Sequence, residues 1–148
     1  MEIKKVEGKT EEEVLKGLDI KDIHYEITEV PAKLFKSKKV ELKYIEKDEI
    51  KNYIKNYIDN FAKSLNKTIN VEIRENEVGY NIMLISEENS ILIGKDGKTL
   101  NSIQLLLHQA INNLTGFNIR INVDAANYKS NKERKLERIN SGLNDTLS

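Results

Sequence analysis

Two glycines, Gly94 and Gly97, stand between two stretches whose apolar residues recur at helical spacing, and this junction restricts the possible folds more than any other feature. Without side chains, they let the backbone turn sharply and come close to an anion. The stretch after them carries Leu100, Ile103, Leu107, Ala110, Ile111 and Leu114 at three- and four-residue steps, with Gly116 where a C-terminal cap belongs. The stretch before them predicts a short helix from Glu87 to Leu92. Amides near Lys98 and Thr99 would open the second helix, whose N-terminal dipole favours negative charge, and Lys95 adds a cation. Asp96 opposes that charge.

Around the junction the periodicity changes in a definite order. Asp48 is a candidate N-cap for a helix whose stripe is Ile50, Ile54, Tyr57, Ile58, Phe61 and Leu65. Tyr44, Tyr53 and Tyr57 are expected in the core rather than as stacking platforms. Period two follows in Ile69, Val71 and Ile73, and again in Val78, Tyr80, Ile82 and Leu84 across a turn at Glu75-Asn76-Glu77, which predicts an antiparallel hairpin. After the second helix, Phe117, Ile119, Ile121 and Val123 alternate with polar residues. Asp124 can then cap a charged helix carrying Leu136, Ile139 and Leu143. Residues 47–124 therefore read helix, strand, strand, helix, Gly-x-x-Gly, helix, strand.

The first 46 residues form a separate pattern of strand, helix, strand, strand. Ile3 and Val6 suit an edge strand, and Thr10 before Glu11, Glu12 and Glu13 marks a helix start running to about Leu18. Strands follow around Ile23, Tyr25 and Ile27 and around Val40, Leu42 and Tyr44. Between them Pro31, Lys33, Phe35, Lys36, Lys38 and Lys39 make a basic loop, expected to be a solvated tip. The fold class is thus α+β, with modules at 1–46 and 47–124 and a helical tail at 125–148.

Charge decides little until it is divided. The chain has 24 basic and 24 acidic side chains, but residues 91–123 carry three basic and one acidic. The absence of cysteine removes disulfides and thiolate chemistry. Gly97-Lys98-Thr99 spells the end of a nucleotide-binding P-loop, yet Leu92 stands where the first glycine must be. His24 and His108 are isolated and make no metal site. No enzyme, metal or cofactor is expected. The N-terminal Met1-Glu2-Ile3-Lys4-Lys5 lacks the apolar run of a signal peptide and Leu105-Leu106-Leu107 is too short to span a bilayer, so a cytoplasmic location is expected.

Ile93-Gly94-Lys95-Asp96-Gly97-Lys98, set in this order of elements, resembles the nucleic-acid-binding KH domain in its type II form (α-β-β-α-α-β). The wider chain resembles the bacterial Jag proteins, also called KhpB: Gly8-Lys9-Thr10 is similar to the start of their N-terminal domain, the loop through Leu100 to their KH loop, and Val123-Asp124-Ala125-Ala126-Asn127-Tyr128 to the segment leaving their KH domain. Two departures stand out. Pro31-Ala32-Lys33-Leu34-Phe35-Lys36 lacks the glycines of the family's N-terminal loop, and no arginine-x-x-x-histidine motif follows Tyr128, an ending that suits a truncated, a divergent or a naturally short member.

The resemblance implies an RNA-binding regulator or RNA chaperone linked to cell-envelope growth and division, working with a second small KH protein and associated with a membrane protein insertase. In that reading Gly94, Lys95, Asp96, Gly97, Lys98 and Thr99 grip single-stranded RNA backbone, Ile91, Ile93, Leu100 and Ile103 line an aliphatic groove for bases, and Arg120 stands near one wall. The competing expectation is an interaction module whose fold docks a protein and binds no RNA.

Overall fold

The computed structural model describes residues 1–31, 38–126 and 128–129. Lys33, Phe35 and Lys36 of the basic loop, Asn127, and Leu136, Ile139 and Leu143 of the expected tail helix lie outside the described residues. The architecture is α+β, with two three-stranded sheets ordered β1-β3-β2 and β4-β5-β6. Two compact units divide the chain, Met1–Asn56 with Ala110–Asn118, and Tyr57–Gln109 with the residues from Ile119 onward.

In the first unit, β1 (Lys4–Gly8) and β2 (Ile23–Val30) flank β3 (Lys39–Glu46), both antiparallel to it. Alternation on β3 buries Val40, Leu42 and Tyr44, which join Val14 and Ile23 in a small core. The first helix, α1 (Glu11–Val14), is shorter than the sequence suggests. Its start is as expected: Thr10 Oγ1 accepts from Glu13 N at 3.2 Å, and the Glu13 carboxylate accepts from Lys9 N at 3.0 Å. Its early end has a backbone cause, since Gly17 takes φ of 80° and the chain turns away.

Helix α2 (Lys47–Ser64) follows β3 without an intervening residue, so Asp48 lies in its first turn rather than before it. There the carboxylate still faces the positive end of the dipole. Ile50, Ile54, Ile58 and Ala62 are buried at helical spacing, Tyr44 is buried, and Tyr53 and Tyr57 are half-buried.

The second unit contains the sheet of β4 (Asn70–Glu75), β5 (Gly79–Ile85) and β6 (Arg120–Ala125). The hairpin turn between β4 and β5 is built by Asn76, whose Oδ1 accepts from Val78 N and Gly79 N at 2.9 and 2.8 Å. That turn takes in Val78, which is exposed rather than part of a strand. Strand β6 runs parallel to β5. A parallel pair needs a crossover, and α3 (Asn89–Ile93), the glycine loop and α4 (Lys98–Thr115) provide it. Tyr80, Ile82 and Leu84 on β5, Ile121, Val123 and Ala125 on β6, and Leu100, Ile103 and Leu107 on α4 are buried. Each alternates or steps with the period of its element, which fixes the register of the crossover.

Candidate functional site

The junction is a tight turn whose shape is dictated by three residues of positive φ. Gly94 has φ 70° and ψ −177°, a conformation open essentially to glycine alone. A Cβ there would overlap Thr99 Oγ1 and lie 3.1 Å from the Thr99 backbone nitrogen. Asp96 has φ 55° and ψ 29°, the left-handed region in which Asp and Asn are enriched among non-glycine residues. Gly97 follows at φ 76°, and a Cβ there would sit 3.2 Å from Cε1 of Tyr128. The acid that fits poorly on charge therefore fits well on backbone conformation. The Asp-Gly dipeptide was the legible signal for it.

Backbone hydrogen bonds close the turn on both sides. Gly94 N donates to Ser90 O at 3.1 Å, closing α3, and Gly97 N reaches Gly94 O only at 3.4 Å. Lys98 N donates to Lys95 O, so this amide already has a partner within the turn. Thr99, whose backbone nitrogen faces Gly94, lies next along the helix. Lys95, Asp96 and Lys98 are exposed and Gly97 is buried. The exposed cations flank one exposed anion beside the positive end of an 18-residue helix.

The other expected site residues divide between surface and core. Ile91 is 44% exposed and Ile93 is half-buried, while Leu92 between them is the buried anchor of α3. Leu100 and Ile103 are 0% and 3% exposed, so both belong to the core beneath the loop. Arg120 opens β6 opposite Gly79, whereas Tyr128, which touches the loop, follows the other end of that strand. The five-residue separation from Arg120 to Ala125 amounts to about 16 Å of strand. Loop glycines, lysines and Thr99 are thus brought together, and Arg120 is not.

Nothing in the sequence signals that Tyr128 meets the loop at Gly97, or that Asp124, Gln104 and Lys129 are joined in one network. Asp124 is 5% exposed, and its Oδ1 accepts from Ala125 N at 2.8 Å and from Lys129 N at 2.9 Å. Gln104 Oε1 accepts from Val123 N at 2.9 Å and from Lys129 Nζ at 2.8 Å. Burial lowers the Lys129 pKa from its ordinary 10.5, only partly opposed by the Asp124 carboxylate. Among the described residues no group of three or more His, Cys, Asp or Glu is placed to hold a metal. No described helix is long and apolar enough to cross a membrane.

A Gly-x-x-Gly turn between two helices, in a crossover joining strands of a three-stranded sheet, is the mark of a KH domain. Residues 47–123 match the family model described as KhpA/KhpB, KH domain, and the chain belongs to that family. It is 37% identical over 67 residues to the RNA-binding protein KhpB of Clostridium symbiosum, a match covering 45% of this chain and 30% of that protein. It is 30% identical over 77 residues to the RNA-binding protein KhpB of Bacillus subtilis (strain 168), covering 52% of this chain and 37% of that one. The matched region spans about a third of the length of these curated relatives.

Proposed function

We propose that the chain binds RNA, and that the loop Gly94-Lys95-Asp96-Gly97 grips the backbone of a single strand. The observation that carries this reading is the turn itself. Its glycine-only conformation at Gly94 and the neighbouring positive φ values set the half-buried Gly94 backbone at the opening of α4, flanked by the exposed Lys95 and Lys98. Membership of a family whose relatives are named RNA-binding proteins supports it. The aliphatic surface available to bases is Ile91 with the accessible part of Ile93, next to the loop, because Leu100 and Ile103 are occupied in the core. One loop with two cations and one anion makes a weak grip, so additional affinity must come from another segment or a second protein.

At a finer level the reading is of a cytoplasmic RNA-binding regulator or RNA chaperone serving cell-envelope growth and division, with a second small KH protein as partner and an insertase association. These roles rest on the Jag/KhpB resemblance. Residues 1–46 and 47–124 are proposed as its two modules. The interaction-module alternative draws on Leu105 and Leu106, adjacent on α4 and 55% and 51% exposed.

Replacing Lys95 and Lys98 together by Glu tests the leading reading. Both side chains are exposed, so the fold should survive, while affinity for single-stranded RNA should fall and its salt dependence should flatten by about two phosphate equivalents. A folded double variant that binds RNA as the parent does would defeat the assignment.

A further inference from the structure

We infer that Tyr128 and Lys129, which follow β6 and lie beyond the family match, are positioning residues that brace the glycine loop in its binding shape. The inference deepens the RNA reading of the loop and rests on it. Four hydrogen bonds join the segment after β6, the sheet and α4, and Tyr128 in that segment meets the loop at Gly97. Asp124 Oδ1 accepts the Lys129 amide at 2.9 Å, fixing the chain direction after β6. The Lys129 ammonium donates to Gln104 Oε1 at 2.8 Å and reaches Asn122 Oδ1 at 3.5 Å. Gln104 in turn accepts from Val123 N at 2.9 Å, on β6, the last strand in the order β4-β5-β6 among the described residues.

That network joins α4, β6 and the following segment, and it leaves Tyr128 little freedom. Its ring is held where Cε1 would lie 3.2 Å from a Cβ at Gly97. Gly97 is the residue through which the turn enters α4, and its amide makes only the long 3.4 Å bond to Gly94 O. With a left-handed Asp96 before it and its own amide weakly bonded, Gly97 is the part of the turn that an outside surface can steady. The Tyr128 ring is that surface. A loop held before binding loses less conformational freedom when it closes on a phosphate backbone, so the brace acts on affinity through the loop rather than by touching RNA.

The test compares the full chain with Tyr128→Ala, Tyr128→Phe and Lys129→Met. Loop amide hydrogen exchange is followed by NMR, and binding is measured to a mixed-sequence eight-nucleotide single-stranded RNA pool. Tyr128→Ala should speed exchange at Gly97 and Lys98 by about tenfold and weaken RNA binding several-fold. Tyr128→Phe, which retains the ring, should leave both readouts nearer the parent than Tyr128→Ala does. Lys129→Met should move both readouts in the same direction as Tyr128→Ala, and carries the comparison if Tyr128→Ala does not fold. Unchanged loop exchange in folded Tyr128→Ala and Lys129→Met overturns the brace, including the case in which affinity alone falls, since Tyr128 would then act on RNA directly. A loop that loosens in these variants while the parent binds no RNA upholds the brace and removes the RNA reading.

Discussion

Gly94→Ala tests the loop geometry more severely than any charge change. The alanine must adopt φ 70° and ψ −177°, which costs about 1–3 kcal/mol for a residue bearing a Cβ. Its methyl group must also displace Thr99 Oγ1 and tolerate the Thr99 backbone nitrogen at 3.1 Å. The hydroxyl can rotate away, whereas the backbone nitrogen belongs to the first turn of α4 and cannot move alone. A total loss of about 2–4 kcal/mol is expected, equivalent to roughly 5–12 °C in Tm for a chain of this size. Combining Gly94→Ala with Thr99→Ala should recover about 1 kcal/mol of this, because residues in direct contact couple by about that much. Urea and thermal unfolding of the two single variants and the double variant measure the cycle. A Gly94→Ala loss below about 0.5 kcal/mol, or no coupling to Thr99, would show that the loop does not need the conformation described.

Asp96→Asn keeps a residue suited to the left-handed backbone while removing the opposing charge, so single-stranded RNA affinity should rise and the salt slope steepen by about one phosphate equivalent in titrations at several salt concentrations. Asp96→Lys changes the charge by two units instead of one but should cost about 1 kcal/mol in stability at that φ, a difference that parallel unfolding curves would reveal. Leu107→Ala, at a fully buried position, should destabilise the chain by about 2–5 kcal/mol in chemical denaturation. The lowered Lys129 pKa means that the unfolded chain binds the more protons between that value and 10.5, so this group's contribution makes stability rise with pH through that window. Lys129→Met should remove that part of the alkaline dependence, read as the difference between the two pH–stability curves. A fragment of residues 47–129 should unfold cooperatively but at lower temperature than the full chain, because Ile50, Ile54 and Ile111 fall in the same compact unit as the N-terminal sheet.

Periodicity carried most of the fold. Alternation in Tyr80, Ile82 and Leu84 and in Ile121 and Val123 gave strands whose buried faces are those residues, and the three- and four-residue steps from Leu100 to Ile111 gave a helix with that stripe inside. Boundaries were less legible where a side chain or a glycine competes with the pattern. The Asn76 carboxamide draws Val78 into a turn, Gly17 ends α1 early, and α3 begins at Asn89 rather than Glu87. In the site, the glycines and their lysines stood out because spacing along the chain is also spacing in the turn. Asp96 was weighed by charge alone, although its backbone conformation accounts for it. Aliphatic spacing could not tell Ile91 at the surface from Leu100 and Ile103 in the core, because all lie on helices flanking the same turn. The family resemblance set Arg120 near one wall of the groove, but it stands at the end of β6 opposite to the one that Tyr128 follows. Gln104 and Lys129 meet only once the strand and helix are packed, and no local pattern announces such a pair.

The most direct measurement is amide chemical-shift mapping of the full chain titrated with short single-stranded RNA. The account predicts that the largest changes fall on Gly94 to Thr99, with smaller ones at Ile91, Ile93 and Tyr128, and that they fade as salt is raised. Changes confined to the exposed face of β4-β5-β6, or to residues 1–46, with the loop amides unmoved, would contradict it.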